Sequence, residues 1–161
     1  MNILPEIDKI SNELTNIFKD LHQHPELGFE EVRTSRIVKE KLEEFGVDEI
    51  HTEIGKTGVV AIINGNQQSA NQIGIRADMD ALPIEETTNL NYASKNAGKM
   101  HACGHDGHTV MLLAAAKYLA ETKNFLGQVN FIFQPAEEGL GGALAMIEES
   151  SCTKFFVCSC W

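Results

Sequence analysis

The sequence predicts an α/β fold, a layered domain with a largely parallel mixed sheet flanked by helices. Two segments with a helical apolar period come first, the period then changes to that of strands, and further β-prone runs alternate with further helical segments. At 161 residues the chain is long enough for one domain with a real core.

Ile3, Ile7, Ile10, Leu14, Ile17, Phe18 and Leu21 recur at helical spacing, so residues 5–23 read as an amphipathic helix. His24-Pro25 ends it, because the residue before a proline avoids the helical region. A second helix is expected over about 30–45, with Val32, Ile37, Val38, Leu42 and Phe45 inward and Gly46 as its stop. Residues 50–54 alternate like a strand, and 58–64 form a short apolar run closed by the turn residues Asn64-Gly65-Asn66. The polar residues 66–72 read as an exposed loop. Residues 73–78 read as a strand, and 84–99 as an irregular excursion. A helix is expected over 107–122, a strand over 128–133 ending at Pro135, a helix over 141–149 and a strand over 154–160.

Composition narrows the function classes. The apolar fraction of 43% and charged fraction of 22% are those of a globular protein. A net charge of −10 with 13 scattered basic residues argues against nucleic acid, which needs a clustered basic face. No apolar run approaches the roughly 20 residues that span a bilayer, so no membrane association is expected. The acidic, amphipathic first residues lack the form of a secretory signal. Cys103 stands among histidines, and Cys152, Cys158 and Cys160 crowd the last ten residues; this placement favours free thiols and a cytoplasmic location over disulfides. The terminal Cys-x-Cys is too weak a pattern to stand as a metal pair.

Chemistry concentrates in two stretches. Residues 101–108 hold Cys103, His101, His105, His108 and Asp106, and Gln134-Pro135-Ala136-Glu137-Glu138 sets two carboxylates at the end of an apolar strand. Thiolate, imidazole and carboxylate are the ligands of a borderline-soft divalent cation. Cys103 and His105, two apart, can face one point, and Gly104 and Gly107 let the backbone fold tightly around it. Glu137 and Glu138, as neighbours, point in different directions, so one can ligate while the other faces water as a general base. The alternative is a solvated acidic pair. Asp80 is either a ligand-orienting carboxylate or a strand-end turn residue. Asp78, Asp106, His101 and His108 are expected nearby without ligand roles, and His22 and His24 as helix-end and turn residues. All these motifs follow strands or precede a helix, where such sheets bind ligands.

Four stretches, taken in order, carry a resemblance: 24–31 (HPELGFEE), 76–83 (RADMDALP), 100–109 and 134–139. Together they resemble the M20 metallopeptidase family, and within it the amidohydrolase branch of hippurate, N-acyl-amino-acid and auxin-conjugate hydrolases. The resemblance implies an aminopeptidase-like catalytic domain. It implies Cys103, His105 and Glu138 as metal ligands, Glu137 as the catalytic acid/base, and Asp80 beside the metals. Asp78 stands where the wider family keeps a histidine. The resemblance further implies two divalent ions per complete site (zinc, manganese, cobalt or nickel), an N-acyl amino acid as small-molecule substrate, and homodimers formed through a separate lid domain.

After about Glu149 the sequence departs from that pattern, since members are more than twice as long and carry two further histidine ligands. The expectation is that 1–149 form the N-terminal part of an incomplete catalytic domain and that 150–161 are an atypical tail, with the lid absent. The alternatives are an inactive fragment, a non-catalytic metal-binding module, or a family member acting on peptides. Cys103-Gly104-His105 speaks against the last.

Overall fold

The computed structural model describes residues 5–149. Helices α1 (Pro5–Gln23) and α2 (Val32–Phe45) lead into strands β1 (Glu49–Ile54), β2 (Gly58–Asn64) and β3 (Gln67–Asp78). Helix α3 (His105–Thr122), strand β4 (Leu126–Gln134) and helix α4 (Gly142–Glu149) follow. The expected strand over 154–160 and the tail cysteines lie outside the described residues. Among the described residues no helix is long and apolar enough to cross a membrane.

The four strands form one sheet in the order β1-β2-β4-β3. It is mixed, as expected, but the balance differs from the largely parallel sheet the sequence suggested. β1–β2 and β2–β4 are antiparallel, and only β3–β4 is parallel. The reason is local. The three residues between β1 and β2 permit only a hairpin, whereas β3 and β4 are joined through the long α3 crossover.

The sheet is covered on both faces. Val59, Ala61, Ile63, Ala77, Val129, Phe131 and Phe133 meet α1, α2 and α3 in the main core, with Leu21, Val38, Leu42 and Leu113. Val60 and Ile132 point the other way and meet Met146 of α4. This is why β2 reads as an unbroken apolar run rather than an alternating one. Burying a side chain such as Phe131 stabilises the fold by about 1.5–3 kcal/mol.

Helix α2 stops as its sequence requires. Gly46 adopts the left-handed conformation (φ 71°), and its N–H reaches back to the carbonyls of Leu42 and Glu43. The excursion between β3 and α3 contains no helix or strand. Leu82 and Met100 close its neck by exchanging two backbone hydrogen bonds of 3.0 Å. It is fastened to the end of α1, where Lys95 N–H donates to the Gln23 carbonyl and Asn96 Nδ2 to that of Pro25.

Candidate metal centre

The site lies beyond the carboxyl ends of the parallel pair. Asp78 and Gln134 face each other in register, so the turns after β3 and β4 leave the sheet side by side. The N-terminus of α3 arrives between them: Gly104 takes a left-handed conformation (φ 80°), which ends the preceding turn and begins the helix at His105. Thr109 fixes this helix to the strand by donating to the Asp78 carbonyl at 2.9 Å.

Asp80 joins the three arms. Its side chain is buried, with Oδ2 accepting the Glu138 N–H at 2.9 Å. His105 Nδ1 lies 2.9 Å from the Asp80 carbonyl and 3.2 Å from its Oδ1. Both are acceptors, so Nδ1 carries the proton and the Nε2 lone pair faces the site. Burial pushes the Asp80 carboxyl up, but the His105 bond and the amides of Glu138 and Glu137 outweigh it and hold the carboxyl below its usual range. For His105, burial opposes the charged form. The Asp80 hydrogen bond and the charges of Asp78 and Asp80 prevail, and its pKa rises.

Around His105 Nε2 three carboxylates gather: Asp78 Oδ2 at 3.7 Å, Glu138 Oε1 at 3.9 Å and Glu137 Oε2 at 4.0 Å. One donor atom each of Cys103, His105 and Glu138 lie within 4.8 Å of one another, and Asp78, His105 and His108 do likewise. One ring nitrogen serves one cation, so the two groups compete for His105. Asp78 is already engaged: Oδ1 lies 2.7 Å from His108 Nδ1 and Oδ2 lies 3.0 Å from an Arg76 guanidinium nitrogen. Cys103 is exposed, and Glu138 raises its thiol pKa by hydrogen bond, aided by the charges of Glu138, Glu137 and Asp78.

Residues 74–161 match the family described as Peptidase family M20/M25/M40. The chain belongs to this family. It is 57% identical over 156 residues to the hippurate hydrolase of Campylobacter jejuni, covering 96% of this chain and 40% of that protein. To the N-acetylcysteine deacetylase of Bacillus subtilis it is 48% identical over 136 residues, 84% of this chain and 36% of the relative. The crystal structure of Bacillus subtilis YXEP, described as a dinuclear metal binding peptidase from the M20 family, superposes with a TM-score of 0.83 at 46% identity. That match covers 88% of this chain and 40% of that one. The chain thus spans about 40% of the length of these M20 relatives.

The donor chemistry of this M20 chain fits a divalent cation. A soft thiol, an imidazole nitrogen whose partner nitrogen is already bonded, and a carboxylate converge where negative charge is otherwise unbalanced.

Sequence reasoning missed the placement of His22 and Glu31. His22, expected as a helix-end residue, is buried, with Nδ1 2.6 Å from Asp106 Oδ2 and Nε2 3.3 Å from Glu86. His24 does reach the helix end, with Nδ1 2.8 Å from the Asp20 carbonyl. His101 is only 5% exposed, and neither ring nitrogen has a hydrogen-bond partner. Burial lowers its pKa to about 4 against the opposing pull of Asp106, so it is neutral at neutral pH. Glu31 is fully buried although it follows the exposed Glu30, and no periodicity distinguished the two.

Proposed function

We propose that this chain supplies the metal-binding and proton-transfer groups of an amidohydrolase that cleaves the amide bond of N-acyl amino acids. The observation that carries the reading is the convergence of Cys103, His105 and Glu138, with Glu137 beside them and exposed to solvent. This supports an enzyme over a non-catalytic metal-binding module. The names of the relatives, a hippurate hydrolase and an N-acyl-L-amino acid amidohydrolase, support the substrate class.

Cys103, His105 and Glu138 would hold the ion; the donor set suits zinc and tolerates manganese, cobalt or nickel, with two ions in a complete site. When bound, such a cation polarises an amide carbonyl and lowers the pKa of water. The Glu137 carboxylate then accepts the water proton and returns it to the leaving amine. Asp80 keeps the His105 ring in the tautomer that presents Nε2, and holds the Glu138 amide so that the neighbouring Glu137 side chain stays in place. The free thiol of Cys103 supports a reducing compartment, the cytoplasm.

The test is hydrolysis of benzoylglycine by protein of the relatives' length containing this segment, together with elemental analysis. Glu137→Gln should abolish glycine release while metal content stays at the wild-type level. Loss of metal along with turnover would overturn the role given to Glu137.

A further inference from the structure

The stretch from Pro25 to Glu31 supplies none of the donors at the metal centre, yet it touches both turns that carry the carboxylates. Leu27 forms a parallel bridge with Ala81, and Ala81 N–H donates to the Glu26 carbonyl at 2.8 Å, next to Asp80. On the other side, Gly28 runs so close to Ala136 that a Cβ at position 28 would lie 3.1 Å from the Ala136 Cα. Two acidic side chains of this stretch then separate in role. Glu26 reaches forward and accepts from the amides of Arg33 and Thr34, at 2.9 and 2.8 Å, which satisfies the open N–H groups at the start of α2. Glu31 sits at the N-cap of α2 but makes no capping bond. Its carboxylate, wholly buried, turns inward instead.

There Oε1 accepts the Ala136 N–H at 2.8 Å and Oε2 accepts the Thr57 hydroxyl at 2.5 Å. Ala136 is a demanding partner. It holds a left-handed backbone (φ 49°) directly before Glu137, a conformation that crowds the Cβ of a non-glycine residue against its own backbone and persists only when its surroundings enforce it. The same turn is closed by Gly142 N–H on the Ala136 carbonyl at 3.0 Å. Glu31 therefore grips one end of the Ala136–Glu138 turn while Asp80 grips the other through the Glu138 amide.

We infer that Glu31 is a positioning residue for the metal centre. By accepting the Ala136 N–H from within the core, it holds the strained turn that aims Glu137 and Glu138. The inference rests on the reading of Cys103, His105 and Glu138 as metal donors. The buried carboxylate, the missing cap and the left-handed alanine are then parts of one device. A buried carboxyl group is otherwise hard to account for, since Glu31 has no cationic partner among the contacts described.

Two readouts on the full chain separate this inference from the metal reading. The first is amide hydrogen exchange at Ala136, which needs no metal. In Glu31→Ala it should speed up by about tenfold or more, while amides in the middle of β4 keep their protection. The second is Co²⁺ affinity, read from the visible spectrum of the cobalt–thiolate centre. Orienting groups outside the ligand set typically govern metal affinity by about 10–100-fold, and Glu31→Ala should weaken binding within that range.

Glu31→Gln keeps an oxygen for the Ala136 N–H and should restore both readouts to within about threefold. Adding Ala136→Gly to Glu31→Ala relieves the turn of its strain and should recover part of the lost affinity. If Glu31→Ala does not fold, Glu31→Asp, too short to span Thr57 and Ala136 together, takes its place with the same expectations. Unchanged exchange at Ala136, wild-type Co²⁺ affinity in the Ala or Asp variant, or a Gln variant as impaired as Ala would each overturn the inference. Wild-type protein that binds no Co²⁺ while exchange at Ala136 responds as stated would overturn the metal reading and leave the grip of Glu31 on the turn standing.

Discussion

Acid should destabilise this protein through His101, and the size of the effect follows from its surroundings. The ring is buried with both nitrogens unpartnered, and its pKa is lowered from 6.5 to about 4. A histidine whose folded pKa is depressed contributes stability above its unfolded value and loses it as pH falls toward the folded value. Between about pH 6.5 and pH 4 the unfolded chain takes up a proton that the folded chain refuses. The resulting loss is about 2 kcal/mol by pH 5 and about 3 kcal/mol by pH 4. The perturbation is His101→Leu, which cannot titrate and removes two unsatisfied polar atoms, so near neutrality its stability should match or exceed that of the wild type. Urea unfolding of both proteins with a chelator present, at steps from about pH 7 to pH 4, gives the difference in unfolding free energy, in which other titrating groups largely cancel. That difference should grow steadily in favour of the leucine variant. A difference that stays flat over this range would refute the reasoning.

Asp80→Asn should keep the fold yet weaken metal binding about 10–100-fold, because the amide offers one acceptor oxygen and an NH2 donor where the carboxylate accepts from both His105 Nδ1 and the Glu138 N–H; calorimetric titration with Zn²⁺ measures this. Gly28→Ala should lower thermal stability by about 1–3 kcal/mol, since its Cβ would lie 2.9 Å from Leu140 Cδ1 and 3.1 Å from Ala136, and thermal unfolding followed by circular dichroism reads the loss directly. Cys103→Ser should abolish the cobalt–thiolate absorption while leaving helical content unchanged, because the thiol is exposed and outside the core.

Where periodicity carries burial, the sequence reveals the structure. Strand β2 occupies the predicted 58–64, and the apolar spacing of α1 and α2 gives their extents to within two residues. The failures have physical causes. Gln67 to Gln72 read as a loop because all but Ala70 are polar, but they begin β3; both faces there are exposed, so pairing leaves no apolar alternation to detect. Helix α3 begins two residues before the predicted start, because its onset is set by the backbone of Gly104 rather than by an apolar residue. At the centre, the residue types and the spacing of Cys103 and His105 are visible in sequence. The assignment of Asp80 to both His105 and Glu138 depends on the register of β3 against β4, which no local pattern encodes. His22 and Glu31 were invisible for the same reason, since their partners lie 84 and 105 residues away.

The parallel register of Asp78 against Gln134 also bears on the order in which the molecule is made. Each half of the donor set is local, Cys103 with His105 and Glu137 with Glu138, but the two halves lie far apart along the chain. His105 and Glu138 meet only once the chain has run through α3 and returned along β4 to lie beside β3. Such closure is the slow, entropically costly part of acquiring a parallel pair. A cation arriving early would find scattered side chains, whereas one arriving after the return strand has docked would find them gathered. An ion here would act as a latch on a finished architecture, not as a seed for it.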